Sequence, residues 1–243
     1  PVELSITTNA VIVDRFTELF RSSGLKNINV SLDSLEAEKF KSITRRDDFT
    51  CVMNNLESLI EQGFRVKINC VLIKGFNDNE ITDFIRHTKN KPVTVRFIEF
   101  MPFDGNRWNK DKLVSQADIL ERVNSQWKEE QILRIADSPN DTSRNYKIEG
   151  YQGSFAIIST VTNPFCDSCN RVRLTANGRI KNCLFSNGEV DLLTSYRKGE
   201  DIEPLIAKAV RSKFAMRGGM ETDEAFSDPE NYNQNRSMIT IGG

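Results

Sequence analysis

Four short strand-forming runs, residues 3–8, 27–32, 65–73 and 94–101, alternate with amphipathic helical patterns, and this alternation limits the fold more than any other feature of the chain. The helical patterns cover residues 11–22, 36–43 joined to 49–62, and 78–88. Gly24 and Gly63 stand where two of them must stop before the next strand begins. Parallel neighbours in a sheet need a crossover, and a helix supplies it. The expected class is α/β with a parallel sheet.

Strands buried on both faces of a parallel sheet read as nearly continuous apolar runs. These four alternate instead. Leu4 and Ile6, then Ile28, Val30 and Leu32, then Val66, Ile68 and Cys70 form an apolar parity. Thr7 and Asn9, then Asn29, Ser31 and Asp33, then Lys67 and Asn69, then Glu99 beside Met101 place polar groups near the C-terminal strand ends. An apolar face against helices and a polar face toward an interior suits a barrel with a ligand-holding lumen. Sites in such folds gather at the C-terminal ends of the strands.

After Met101 the texture changes. Residues 102–111 read as a polar loop containing Gly105 and Trp108, and 115–124 as a capped helix. Short strands are expected at 131–135, 146–148, 154–161, 171–175 and 179–182, with Asn177-Gly178 marking a hairpin. Helices are expected at 190–196 and 202–211, and the chain is polar from Arg217 onward. The expected domains are residues 1–102, residues 103–223, and a polar tail, 224–243, ending in Gly242-Gly243.

Chemistry concentrates at Cys166-Asp167-Ser168-Cys169, followed thirteen residues later by Cys183. A C-x2-C turn aims two thiolates at one centre, and the Asn177-Gly178 hairpin folds Cys183 back toward them. Three thiolates are one short of a closed zinc site. They suit a cubane [4Fe–4S] cluster with one iron left open to a small molecule. Spacing alone leaves three readings: such a cluster, zinc with a missing or non-protein fourth ligand, or no metal. The sole histidine, His87, is an unpromising fourth ligand, and Cys70 and Cys51 read as buried small hydrophobes. Five cysteines, an odd number, with no secretion signal do not read as a disulfide framework. Arg171 and Arg173, directly after the pair, can hold an anion, phosphate above all, by bidentate bonds.

The net charge of −1 argues against broad binding to nucleic acid or an anionic membrane. No apolar stretch reaches the roughly 18 residues that a membrane span requires. A cytoplasmic location is expected.

Phe165-Cys166-x-x-Cys169-Asn170-Arg171-x-Arg173-Leu174-Thr175-x-x-Gly178, with Cys183-Leu184-Phe185 after it, resembles the C-terminal signature of the molybdenum-cofactor-biosynthesis protein A family, the radical-SAM GTP 3′,8-cyclases. The resemblance extends over essentially the whole chain. Thr7-Thr8-Asn9 is similar to the family's TTNG, with Ala10 in place of Gly, and Asn29-Val30-Ser31-Leu32-Asp33 to its SAM-facing strand. Val66-Lys67-Ile68-Asn69, Lys74-Gly75-Phe76-Asn77-Asp78, Arg96-Phe97-Ile98-Glu99-Phe100-Met101-Pro102 and the final Gly242-Gly243 also correspond.

The resemblance implies the C-terminal part of an incomplete (β/α)6 radical-SAM TIM-like barrel, followed by a smaller α+β cluster-binding domain. It assigns Cys166, Cys169 and Cys183 to a [4Fe–4S] cluster whose open iron meets GTP. Thr7, Lys67, Arg171, Val172 and Arg173 would bind GTP, Ser31 and Met101 would bind S-adenosyl-L-methionine (SAM), and Gly242 and Gly243 would reach the active site. In the complete enzyme a second [4Fe–4S] cluster cleaves SAM, the resulting radical takes the ribose 3′ hydrogen of GTP, and the sugar radical attacks guanine C8. The product would pass to the pyranopterin monophosphate synthase, and a homodimer is an expected assembly. The family's C-x3-C-x2-C loop does not occur in these residues, so the chain is expected to be an N-terminally truncated piece, inactive alone. Two rival readings are a peptide-modifying radical-SAM enzyme and a zinc-stabilised interaction module.

Overall fold

Alternate residues of a strand point to opposite faces, and here the apolar parity decides which face is covered. The computed structural model describes residues 2–232 and 235–237. β1 (Ser5–Thr8), β2 (Asn27–Ser31), β3 (Arg65–Leu72) and β4 (Thr94–Glu99) pair in parallel, in sequence order. The intervening helices are α1 (Thr17–Ser22), α2 (Ala37–Thr44), α3 (Phe49–Glu61) and α4 (Ile81–His87). After α5 (Gln116–Asn124), whose N-terminus carries a Ser115–Asp118 capping box, come β5 (Ile132–Ile135), β6 (Arg144–Ile148) and β7 (Ser154–Ile158). The seven-stranded sheet runs β1-β2-β3-β4-β7-β6-β5, with β7 parallel to β4 and the last two strands antiparallel.

Ile28, Val30, Val66, Ile68, Cys70, Val95 and Phe97 are all buried, and they belong to one core with Val52, Leu56 and Leu59 of α3, Phe84 of α4 and Ile119 of α5. The Phe97 ring meets Phe84 edge-on at 6.2 Å and Phe155 at 6.5 Å. Such aromatic burial supplies much of the stability of a sheet–helix layer.

β7 changes the domain reading. Residues 112–163 form one compact unit with residues 1–100, because β7 hydrogen-bonds to β4. The division expected after residue 102 therefore falls differently. The second unit comprises residues 101–111 and 164–243. Residues 101–111 join it because Phe103 stacks on Phe185 at 5.9 Å and Trp108 meets Phe226 at 6.2 Å.

The second unit contains a three-stranded antiparallel sheet, β8 (Arg173–Leu174), β9 (Arg179–Lys181) and β10 (Val190–Asp191), in the order β10-β9-β8. Its helices are α6 (Leu193–Arg197), α7 (Glu203–Arg211), α8 (Asp223–Ser227) and α9 (Pro229–Tyr232). The Asn177-Gly178 hairpin forms, with Gly178 N–H donating to Thr175 O at 2.9 Å. Gly178 has φ +71°, and a Cβ there would come within 2.4 Å of Leu193, so only glycine fits.

Two expectations shift. The helix expected over 190–196 begins at Leu193, because Val190 and Asp191 pair with β9 and the Asp191 carboxylate caps Thr194 N–H at 3.0 Å. The tail expected from residue 224 instead starts with α8 and α9, which bury Phe226 and Tyr232. Gly242 and Gly243 lie outside the described residues.

Candidate functional site

In the first unit the polar parity forms a continuous row across four strands. Register places Thr7 beside Asn29, Asn29 beside Lys67 and Lys67 beside Thr94; the next row holds Ser31, Asn69 and Arg96. Arg96 joins the rows: its Nε donates to Asn69 Oδ1 at 2.8 Å and its Nη2 to Asn29 Oδ1 at 2.6 Å. Asn29 in turn donates to Thr7 Oγ1 at 3.3 Å. Lys67 and Ser31 are exposed on this face. Burial lowers the Arg96 guanidinium from its ordinary value, yet a guanidinium of this kind stays charged near neutral pH. A fixed cation on a polar face is suited to receive an anion.

Sequence reading missed Arg96 and misplaced Glu99. Glu99 shares its parity with Val95 and Phe97, and it is fully buried on the helix side. There it accepts from Val161 N–H at 2.8 Å, Thr162 N–H at 2.9 Å, Gln116 N–H at 3.2 Å and the Thr162 hydroxyl. It ties three backbone segments together and does not face the polar side. The signal for Arg96 was present, since Thr94, Arg96 and Ile98 share one parity.

Asp33 ends the polar parity of β2 and accepts Val71 N–H at 2.8 Å. Burial pushes its carboxyl up to about 6, although the Val71 hydrogen bond opposes this. The folded protein therefore holds this proton to higher pH than the unfolded chain, and stability falls as pH rises from about 4 to about 6. Asp33→Asn keeps an acceptor for Val71. It is expected to match the parent at pH 4 and to exceed it at pH 7 by about 2 kcal/mol in urea unfolding. An equal difference at both pH values would contradict this.

The remaining isolated candidates resolve simply. Cys70 is buried as expected, and burial raises its thiol well above the ordinary value. Cys51 departs from expectation: it is exposed, with Sγ 3.3 Å from Val11 O, because it lies off the Val52–Leu56–Leu59 stripe. His87 ends α4 with Nε2 3.7 Å from Glu57, and burial, followed by the Lys91 charge, lowers its pKa.

In the second unit, Cys166–Ser168 form one 3-10 turn, closed by Cys169 N–H donating to Cys166 O at 3.1 Å. Arg171 stacks over Phe165, with Cζ 5.5 Å from the ring centroid. The strand begins only at Arg173, which pairs with Lys181; Val172 is exposed. Cys183 follows β9, which the Gly178 hairpin returns beside β8. Lys213 Nζ lies 3.2 Å from Cys169 Sγ. Burial would raise the Cys169 thiol, but the Arg171 N–H and the Lys213 ammonium outweigh it and hold the thiol below its ordinary value. Burial lowers Arg173, while the Cys183 and Cys169 sulfurs draw it back up, so this guanidinium feels both. Met101 belongs to this unit, and its carbonyl accepts from Asn106 Nδ2 at 2.7 Å.

Three thiols, with Cys169 held toward its anionic form and Cys169 and Cys183 near Arg173, have the donor chemistry of a cluster site. Among the described residues no three His, Cys, Asp or Glu side chains form a group that could hold one metal ion. A cubane asks less convergence, since each thiolate binds its own iron.

Comparison with known proteins divides the chain earlier than the two compact units do. Residues 93–218 match the model described as Molybdenum Cofactor Synthesis C, and residues 1–88 match the Radical SAM superfamily. The chain is 43% identical to a mitochondrial GTP 3′,8-cyclase of Arabidopsis thaliana, over 99% of the chain and 60% of that protein. It is 40% identical to the human molybdenum cofactor biosynthesis protein 1, over 98% of the chain and 37% of that protein. A GTP 3′,8-cyclase of Alkaliphilus oremlandii is 36% identical, over 99% of the chain and 72% of that protein. Against these relatives the chain thus spans between about a third and three quarters of their length. No helix of the described residues is long and apolar enough to cross a membrane.

Proposed function

The chain belongs to the molybdenum cofactor synthesis family of the Radical SAM superfamily, and from that premise we propose that it forms the substrate-holding part of a GTP 3′,8-cyclase. The observation that carries the proposal is the placement of Cys169, Arg171, Arg173 and Cys183 on adjoining strands and turns of one unit. Cys166, Cys169 and Cys183 would hold a [4Fe–4S] cluster, whose open iron supplies a Lewis-acidic coordination point for a purine. Arg171 and Arg173 then neutralise the anion that such a nucleotide brings, by charge-assisted hydrogen bonds.

The polar sheet face of the first unit is read as part of a barrel lumen. Thr7 and Lys67 remain the GTP candidates there, and Arg96 joins them, because Asn29 and Asn69 fix its guanidinium and reduce the entropy lost on binding. Ser31 and Met101 remain the SAM candidates. Holding the ribose and base in one geometry is where such a site gains its rate, since orientation replaces a bimolecular encounter. Gly242 and Gly243 are assigned to the active site by resemblance alone.

The test uses the chain after anaerobic reconstitution with iron and sulfide. Absorbance, iron and sulfide should report about four of each per chain. Arg173→Ala should then weaken GTP binding about tenfold or more, the loss of one charge-assisted bond. Introduced into a complete enzyme, Arg171→Ala or Arg173→Ala should abolish cyclisation while SAM cleavage continues. Unchanged GTP affinity and cyclisation in both would overturn the proposed role.

A further inference from the structure

The end of α7 and the two residues after it, Ser212 and Lys213, sit between the two arms that carry the cysteines. On one side, Asn182, the residue before Cys183, donates Nδ2 to Ala209 O at 2.8 Å and to Ser212 Oγ at 3.3 Å. On the other, Lys213 Nζ donates to Cys169 O at 2.8 Å, to Cys169 Sγ at 3.2 Å and to Arg171 O at 3.2 Å. An ammonium has three donors and no acceptor, and all three here are directed at a single short loop. Its backbone is fixed as well, with Lys213 N–H donating to Val210 O at 3.2 Å. Lys213 is half-buried, and no carboxylate of the described residues forms an ion pair with it.

We propose that Lys213 is a positioning residue for the sulfur site, and that the end of α7 is a bracket setting the spacing of Cys169 and Cys183 in advance of any cluster. The inference rests on the cluster reading of the three cysteines. Two physical consequences follow. A donor on a ligating sulfur stabilises the more negative, reduced cluster and shields the iron–sulfur bond. The bond to Arg171 O fixes the backbone from which that arginine's side chain projects. Nothing in the sequence marks Lys213, which lies 44 residues beyond Cys169.

The experiment compares the parent chain, Lys213→Met and Lys213→Arg after anaerobic reconstitution. Methionine keeps the stem and removes the donors and the charge; arginine keeps both. Chelator-driven bleaching of the Met variant should run about tenfold faster than the parent. Its reduction equilibrium should shift about tenfold toward the oxidised cluster, which is 59 mV for a one-electron couple. The Arg variant should lie near the parent in both readouts, and all three chains should melt alike without metal. Parent-like bleaching and reduction in the Met variant would overturn the inference. So would an early melt of the metal-free Met variant with loss of both readouts in the Arg variant, since that marks a packing role. A parent chain that takes up no cluster would overturn the reading beneath, and this inference with it.

Discussion

Replacing Cys183 with alanine is expected to remove the iron–sulfur chromophore from the anaerobically reconstituted chain. The expected effect is total, because a cubane held by three thiolates has no protein ligand to spare and the metal-binding free energy is distributed over few bonds. Of the three proposed ligands, Cys183 depends most on tertiary structure: its place in the unit is set by the hairpin that Gly178 closes and by Asn182, which is held at Ala209 O. Cys51→Ala, by contrast, should leave iron content and absorbance unchanged, because Cys51 is exposed on α3 in the other unit. Equal loss in both variants would point to general thiol damage and contradict the assignment.

Glu99→Ala should be the most destabilising single change in the first unit. The carboxylate is fully buried and accepts from two N–H groups after β7, one at the start of α5, and a hydroxyl. Removing it leaves several buried donors unpaired, each costing about 1–3 kcal/mol. A total loss of about 3–5 kcal/mol is expected in urea unfolding, enough to leave a marginal domain partly unfolded. Glu99→Gln retains one acceptor oxygen and should lose less. A cost below about 1 kcal/mol for the alanine variant would show that water replaces the carboxylate.

These two residues mark what could and could not be read from sequence. The parallel order of β1 to β4 was legible, because apolar alternation and helix stops are local signals, and the observed strands lie inside the expected runs. Thr7, Asn29, Ser31, Lys67 and Asn69 were placed on one face by parity, and the register agrees. Parity failed at Glu99, since a buried carboxylate and a ligand-facing one look alike until its donors are known. Those donors come from residues 17 to 63 positions away. The insertion of β7 beside β4 was illegible for the same reason, and with it the division into units. The turn that carries Cys166 and Cys169 was legible, because C-x2-C is a local motif. The hydrogen bonds from Lys213 to it were not.

The central claim is that these sulfurs carry a cubane with a vacant coordination position that a guanine nucleotide occupies. Electron paramagnetic resonance of the reduced, reconstituted chain with and without GTP tests it most directly. The expected result is a reduced-cluster signal whose g-values move when GTP is added. A chain that retains zinc in place of iron, or a cluster signal unmoved by saturating GTP, would contradict it.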